Sequence, residues 1–384
     1  MKSNYKKIGD YVNLVGERNT ELQDLPLIGL SITKQFIPSI ANTIGTDMST
    51  YRTIYKNQFA YSAVTSRNGD KLTIALFKDL EKGLISQAYT PFEVTDKNEL
   101  LPEYLMMWFS RPEFDRYARF KSHGSARELF SWEDLCETLI PIPHPDKQRE
   151  IVKEYNTIVN RIALNNQLIK KLEETAQAIY KQFVVAGKAD RKETLSDYIE
   201  TANTGLDAIK RAPIVSEDTG IRCLRIQDVS RESNFDNWGF TKVENNNFKK
   251  FQLKKNDILI ARTGATVGGN IFIRKDLKGV FNNGLIRIRA DKTRVHPIIL
   301  QIFFKTKVFT EHINSIAFGT STQPNIQIGD LLSFQVSFPS IEAQAHFTEY
   351  LIKIDNLKFN LMEQNNLLEN LKDLLLSKLA TIEK

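Results

Sequence analysis

The stretch Gly264-Ala-Thr-Val-Gly268-Gly269 has the small residues of a phosphate-binding loop. It lacks the Gly-Lys-Ser/Thr that grips phosphate and magnesium, so its expected role is a tight turn between strands. The five histidines, His123, His144, His296, His312 and His346, share no metal-ligand spacing with one another or with Cys136 and Cys223, and no zinc site is expected. Pro145-Asp146 with Asp190-Arg191-Lys192 loosely matches the carboxylates and lysine of a nuclease. The first pair opens a long helix and the second lies near its far end, too distant to share a metal. The Asn-Pro-Pro-aromatic motif of adenine methyltransferases is absent. Without an acid-base, nucleophile or metal constellation, a self-contained enzyme is the weaker reading, and no cofactor is expected.

Recognition chemistry is better represented. Lys249, Lys250, Lys254 and Lys255 flank Phe251 and Leu253, a basic stretch with apolar anchors that reads equally well as a solvated hairpin tip. Arg262, Thr263, Thr266 and Asn270 occupy the Gly-rich loop, where such side chains can meet phosphates or base edges. Two small polar loops, at 122–127 and 319–325, are the strongest candidates, because small residues let a backbone approach DNA closely. They carry Ser125 and Arg127 in one, and Thr320, Ser321 and Gln323 in the other. Arg127 has the fork for guanine and Gln323 the amide for adenine, while any single residue in these loops also reads as part of a structural turn with incidental polarity. Arg67 stands in a further turn, at 62–69.

Charge supports the same class. The net charge is +6, unevenly spread. Residues 1–145 hold 17 basic against 18 acidic residues (−1), 146–185 hold 7 against 5 (+2), 186–340 hold 23 against 16 (+7), and 341–384 hold 5 against 7 (−2). A basic excess in one globular segment suits nucleic acid, and an acidic last helix suits a protein partner. The first residues form no signal peptide, no apolar run is long enough to cross a bilayer, and two cysteines in separate halves read as buried thiols. A cytoplasmic protein with no membrane partner is expected.

These loops need a scaffold, and the sequence supplies one in residues 148–183. Positions 151, 155, 158, 162, 165, 169, 172, 176, 179 and 183 hold Ile, Tyr, Ile, Ile, Asn, Ile, Leu, Ala, Ile and Phe. Steps of four and three mark a helix made to pack on another helix. Adding 196 maps Pro143 onto Pro339, Gln148 onto Gln344 and Leu172 onto Leu368. The second stripe runs through Phe347, Leu351, Ile354, Lys358, Leu361, Asn365, Leu368, Lys372, Leu375 and Leu379; at its two lysines, Leu357 and Leu371 lie one residue away and can help cover the seam, and the lysine stems can snorkel. In an antiparallel pair, residues whose numbers sum to 530 face each other. Ile151 then meets Leu379, Phe183 meets Phe347, and Asn165 meets Asn365, a polar pair that would fix register. Each asparagine read alone is a tolerated polar position on a wet helix.

The rest follows a script used twice. Residues 1–145 form a mixed, strand-rich domain, 146–185 a helix, 186–340 a second such domain, and 341–384 a second helix. Ile8-Gly-Asp-Tyr is echoed by Leu195-Ser-Asp-Tyr, and the helix beginning at Pro102 by the one beginning at Pro297. Leu139-Ile-Pro-Ile-Pro, read as a short edge-like strand, is echoed by Phe334-Gln-Val-Ser-Phe-Pro. The fold class is α+β: two similar domains and two long helices in an antiparallel coiled coil, a pseudo-two-fold internal repeat.

This layout resembles the DNA-specificity subunit of Type I restriction-modification systems over nearly the whole chain. The resemblance rests on two domains, each followed by a long helix introduced by a Pro-x(4)-Gln element, Pro143 to Gln148 and Pro339 to Gln344. It rests also on the phrases Asn256-Asp257-Ile-Leu-Ile-Ala-Arg-Thr-Gly, Asn282-Asn283-Gly-Leu-Ile-Arg-Ile and Gly319-Thr-Ser-Thr-Gln-Pro-Asn-Ile, in that order. It implies a non-catalytic subunit that directs its partners to a bipartite duplex target, with a spacer set by the helices. About 36 residues at about 1.5 Å each give a rod of roughly 54 Å. It also implies two methyltransferase subunits, which would hold the S-adenosylmethionine, and restriction translocase-nuclease subunits. The alternative is a paired-domain protein scaffold that never meets DNA.

Overall fold

The computed structural model describes residues 5–381 apart from 41–44, 66–68, 70, 123–127, 187–192, 231–233 and 319–323. The chain divides into two compact units, Met1–Asn165 with Glu363–Lys384, and Asn166–Met362. Both long helices, Pro145–Ala186 and Ile341–Lys378, contribute to both units.

In the first unit a four-stranded antiparallel sheet has the order Val12–Leu14, Tyr89–Val94, Phe59–Ser62, Ile74–Leu76. In the second unit the order is Ile199–Thr204, Leu285–Ala290, Ile258–Ala261, Asn270–Phe272, again antiparallel throughout. The same sheet is thus built twice, from unlike side chains. Phe59 stacks on Phe92 with ring centroids 4.9 Å apart and takes Phe109 edge-on, whereas Ile258, Ile260, Ile286 and Ile288 fill the equivalent layer. Each unit adds its own strands. The second has another four-stranded sheet, Ile214–Val215, Gly239–Thr241, Arg222–Leu224 and Gly279–Phe281, whose last pair is parallel. The first has the two-stranded pieces Ile28–Leu30 with Phe36–Pro38 and Arg52–Tyr55 with Lys82–Ile85.

Local signals place the helices on these sheets. Pro102, Pro112 and Pro297 each occupy a first turn, where the missing N–H costs nothing. Ser131 accepts the Asp134 amide and caps Trp132–Cys136, as its spacing suggests. The two Leu/Ile-x-Asp-Tyr phrases both form a single 3-10 turn, Ile8–Asp10 and Leu195–Tyr198.

Glutamine fastens each domain to its helix. Gln148 donates to the carbonyls of Glu99 and Pro143, both at 2.8 Å, and accepts the Leu101 amide at 2.9 Å. Gln344 donates to Arg294 and Pro339 at 2.9 and 2.8 Å and accepts the His296 amide at 2.8 Å. Both are buried. The Pro-x(4)-Gln spacing is therefore a physical device, a buried amide spanning the proline carbonyl and the edge of the domain.

Helix packing runs antiparallel within each unit. In the first, Ile151 shares a core with Leu376 and Leu379, and Asn165 Nδ2 donates to Asn365 Oδ1 at 2.8 Å. In the second, Phe183 lies 3.7 Å from Phe347, ring to ring, and Ala176 and Tyr180 pack with Leu351.

Three local expectations need correction. Lys358 does not snorkel. It is 7 % exposed and bonds Glu173 at 2.9 Å, with Glu173 also 3.4 Å from Lys305, because the second domain covers this part of the seam. Residues 249–251 are not a hairpin tip but the end of the helix Asn245–Phe251, held by buried Phe251 and Leu253. Leu139–Pro141 pairs with Tyr5–Lys7, but its echo at 334–338 makes only a single bridge, Gln335 to Thr194, among the described residues.

Candidate functional site

In the second unit several chain segments meet at one edge. The strands Arg222–Leu224, Ile258–Ala261 and Gly279–Phe281 end there, and Leu285–Ala290 begins there. Cross-links between their loops define the edge: Asn282 N donates to Leu224 O at 3.0 Å, Asn283 N to Leu206 O at 2.8 Å, and Arg262 N to Gly284 O at 3.0 Å. Close approach demands glycine at Gly205, where an added Cβ would stand 2.2 Å from the Phe281 carbonyl oxygen.

The Gly-rich loop is a turn between Ile258–Ala261 and Asn270–Phe272, as expected. Ala261 N donates to Gly269 O at 2.7 Å and Gly268 N to Ala261 O at 2.8 Å. Gly264 and Gly268 have φ of +82° and +85°, the left-handed region that favours glycine. Against this turn lies a strap, residues 324–326. Thr263 bridges to Asn325, Gly264 N donates to Pro324 O at 3.3 Å, and Ile326 N donates to Arg262 O at 2.8 Å. Arg262, Thr263 and Thr266 are therefore brought to one edge, with Thr266 exposed.

Lys249 and Lys250 are not part of it. Lys254 and Lys255 precede the strand Ile258–Ala261 and Arg262 follows it, while Leu253 N bonds Gly279 O at the start of Gly279–Phe281. The basic helix and the Gly-rich turn thus lie toward opposite edges of the sheets. Arg67, Ser125, Arg127, Thr320, Ser321 and Gln323 lie outside the described residues.

The first unit repeats the strap. Phe130 N donates to Ala63 O at 2.9 Å, Thr65 N to Glu128 O at 3.0 Å, and Val64 bridges to Leu129. Ala63 thus stands where Arg262 does, and Leu129 where Asn325 does, so the two edges have different chemistry on one frame.

Electrostatics separate structural from available charge. Asp257 is buried and holds Arg289 through Oδ1 at 2.6 Å and Oδ2 at 3.1 Å, with Arg287 3.9 Å away. Burial, then the neighbouring Arg289, pull Arg287 down to about 10. Arg225 pairs with Asp228 at 3.2 Å, and Arg211 with Asp207 at 2.8 Å. The Lys210 amide and then Arg211 hold the Asp207 carboxyl down to about 2. Arg262 differs: its Nε and Nη2 donate to Oδ1 of the neutral Asn325 side-chain amide at 3.2 and 3.1 Å.

Among the described residues no group of His, Cys, Asp and Glu could hold a metal ion, and no helix is long and apolar enough to cross a membrane. Asn325 closes the candidate loop at 319–325 without being one of its expected contacts, and in the sequence Gln148 and Gln344 stand as markers alone. An amide flanking a loop, or heading a helix at a repeated spacing, carries no signal of its partner until the chain folds.

The family profile described as Type I restriction modification DNA specificity domain matches residues 7–174 and 208–370. The Type I restriction enzyme MjaVIII specificity subunit of Methanocaldococcus jannaschii is 23% identical over 304 residues, 72% of this chain and 68% of that protein. The Type I restriction enzyme HindI specificity subunit of Haemophilus influenzae is 25% identical over 136 residues, 35% of this chain and 29% of that one. The crystal structure of a Type I restriction-modification system S subunit from M. genitalium shares the fold, with a TM-score of 0.58 and 15% identity over 99% of this chain and 96% of that one.

Proposed function

The chain belongs to the Type I restriction modification DNA specificity family, the non-catalytic, target-recognising part of a restriction-modification enzyme, and from that premise we propose that it reads a bipartite duplex target. Residues 1–145 would read one half-site and 186–340 the other, with the helices at 146–185 and 341–384 setting the spacer. The observation that carries this reading is the twice-built sheet with its strap, presenting Ala63 and Leu129 in one unit and Arg262 and Asn325 in the other. A shared frame with unlike reading surfaces is what two unlike half-sites need. Contacts are assigned to Arg67, Ser125 and Arg127 in the first domain, and to Arg262, Thr263, Thr266, Thr320, Ser321 and Gln323 in the second. Lys249 and Lys250, at the other edge, suit phosphate contact.

Its partners in this reading are double-stranded DNA, two methyltransferase subunits and restriction translocase-nuclease subunits. Co-expression with the methyltransferase, followed by mapping of modified adenines, tests the reading. One heptad added to each long helix lengthens the pair by about 10 Å, and at about 3.4 Å per base pair the spacer should grow by about three. Changed half-sites with an unchanged spacer would reject the ruler. A paired-domain scaffold predicts no DNA affinity that falls with salt, whereas phosphate contacts release counterions and give a steep fall.

A further inference from the structure

Resting on the reading that the strand-end loops of the second domain meet DNA, we propose that Arg262 reads a guanine through the end of its guanidinium fork, and that Asn325 is the positioning residue that aims it. The Asn325 side-chain oxygen, Oδ1, accepts from Nε at 3.2 Å and from Nη2 at 3.1 Å, two groups that together form one side of the planar guanidinium. A guanidinium carries five donors, and the pair at its end, one N–H on each Nη, points away from that side. Neither is used in a bond recorded among the described residues. Guanine O6 and N7 in the major groove accept such a pair.

Two further features suit the role. The root of the side chain is already held, with Arg262 N on Gly284 O and Arg262 O receiving Ile326 N, so side chain and backbone are both ordered before DNA arrives. Among the described residues no carboxylate pairs with Arg262. Arg211, Arg225, Arg274, Arg289 and Arg294 each face a carboxylate, whereas the recorded partner of Arg262 is a neutral amide. An arginine meant only to tie a loop needs no such arrangement, since a carboxylate at 325 would hold it more tightly. The first domain has Ala63 and Leu129 at these places, so the guanine belongs to one half-site alone.

The test uses the full chain co-expressed with its methyltransferase subunits, with modified adenines mapped across the host genome for the wild type, Arg262→Lys and Asn325→Leu. Lysine keeps the charge and loses the fork, and leucine copies the first domain. Both variants should relax the same single G·C position of one half-site, with tolerance for other bases rising about tenfold or more. The rest of that half-site, the spacer and the other half-site should stay as in the wild type. An unchanged consensus in both variants makes the pair a loop tether and overturns the proposal. So does an even loss over all sites without relaxation, the mark of a phosphate contact, or relaxation at two different positions. A variant that modifies nothing is tested as the purified complex against duplexes carrying each base in turn, where wild-type preference at every position overturns the proposal. A wild type with no bipartite consensus would remove instead the reading beneath this one.

Discussion

Asn165 and Asn365 are joined through their side-chain amides, Nδ2 to Oδ1 at 2.8 Å, inside a mostly apolar helix seam. Asn165 is 2 % exposed and Asn365 half-buried. The seam repeats every three or four residues, so several sliding registers would bury similar apolar area. Only the one that matches the two amides leaves Asn165 bonded.

The two partners should not be equivalent on mutation. Asn365→Leu strands the deeply buried Asn165 amide and should cost about 1–3 kcal/mol. Asn165→Leu leaves the wetter partner and should cost less. The double leucine variant should match or exceed the wild type in Tm. Thermal unfolding of the three variants checks the order, and equal losses for the single variants would contradict it.

Gln148 and Gln344 each satisfy three backbone groups, so truncation should be costly at both. Gln148→Ala leaves the Glu99 and Pro143 carbonyls and the Leu101 amide without their partner, a loss of about 3 kcal/mol or more. Gln148→Glu should be worse at pH 8 than at pH 5. A carboxylate cannot donate to two carbonyls, so the folded state would favour the protonated acid and lose stability as pH rises. Denaturant unfolding at the two pH values measures this.

Asp355 accepts Arg274 Nε and Nη2, both at 2.8 Å, and Gln301 Nε2 at 3.2 Å. Burial pushes its carboxyl up, but Arg274, Gln301 and Lys358 outweigh that and hold it below the ordinary aspartate range. The folded pKa lies below the unfolded one, so the contribution is present above about pH 4 and is lost as pH falls further. Asp355→Asn should therefore cost about 3 kcal/mol at pH 7 and progressively less toward pH 3. A pH-independent difference would show that the charge plays no part.

Glycine substitutions at the strand-end edge should be graded by what the new methyl meets. Gly205→Ala puts a Cβ 2.2 Å from the Phe281 carbonyl oxygen and 2.5 Å from that of Asn282, both backbone, and should cost about 2–3 kcal/mol. Gly264→Ala meets nothing within 4 Å at φ +82° and should cost about 1 kcal/mol. Tm of the two variants checks the order. Because Gly205 braces the loops around Asn282, its variant should also weaken modification at one half-site.

By itself the sequence determined the two long helices, their register and the duplication of the chain. Those follow from periodic apolar spacing and from proline and glutamine at a fixed distance, which are local or repeated signals. It did not reveal that the two sheets share one strand order, since Phe59 and Phe92 fill the space that isoleucines fill in the other domain. Backbone pairing keeps a topology while the side chains that pack it change. Only the tertiary structure separated the basic helix at Lys249 and Lys250 from the turn at Arg262, because a short strand carries its two ends to opposite edges. Only the tertiary structure, too, joined Arg262 to Asn325, 63 residues away along the chain. A hydrogen bond between loops depends on where the sheet ends, and no spacing in the chain records it.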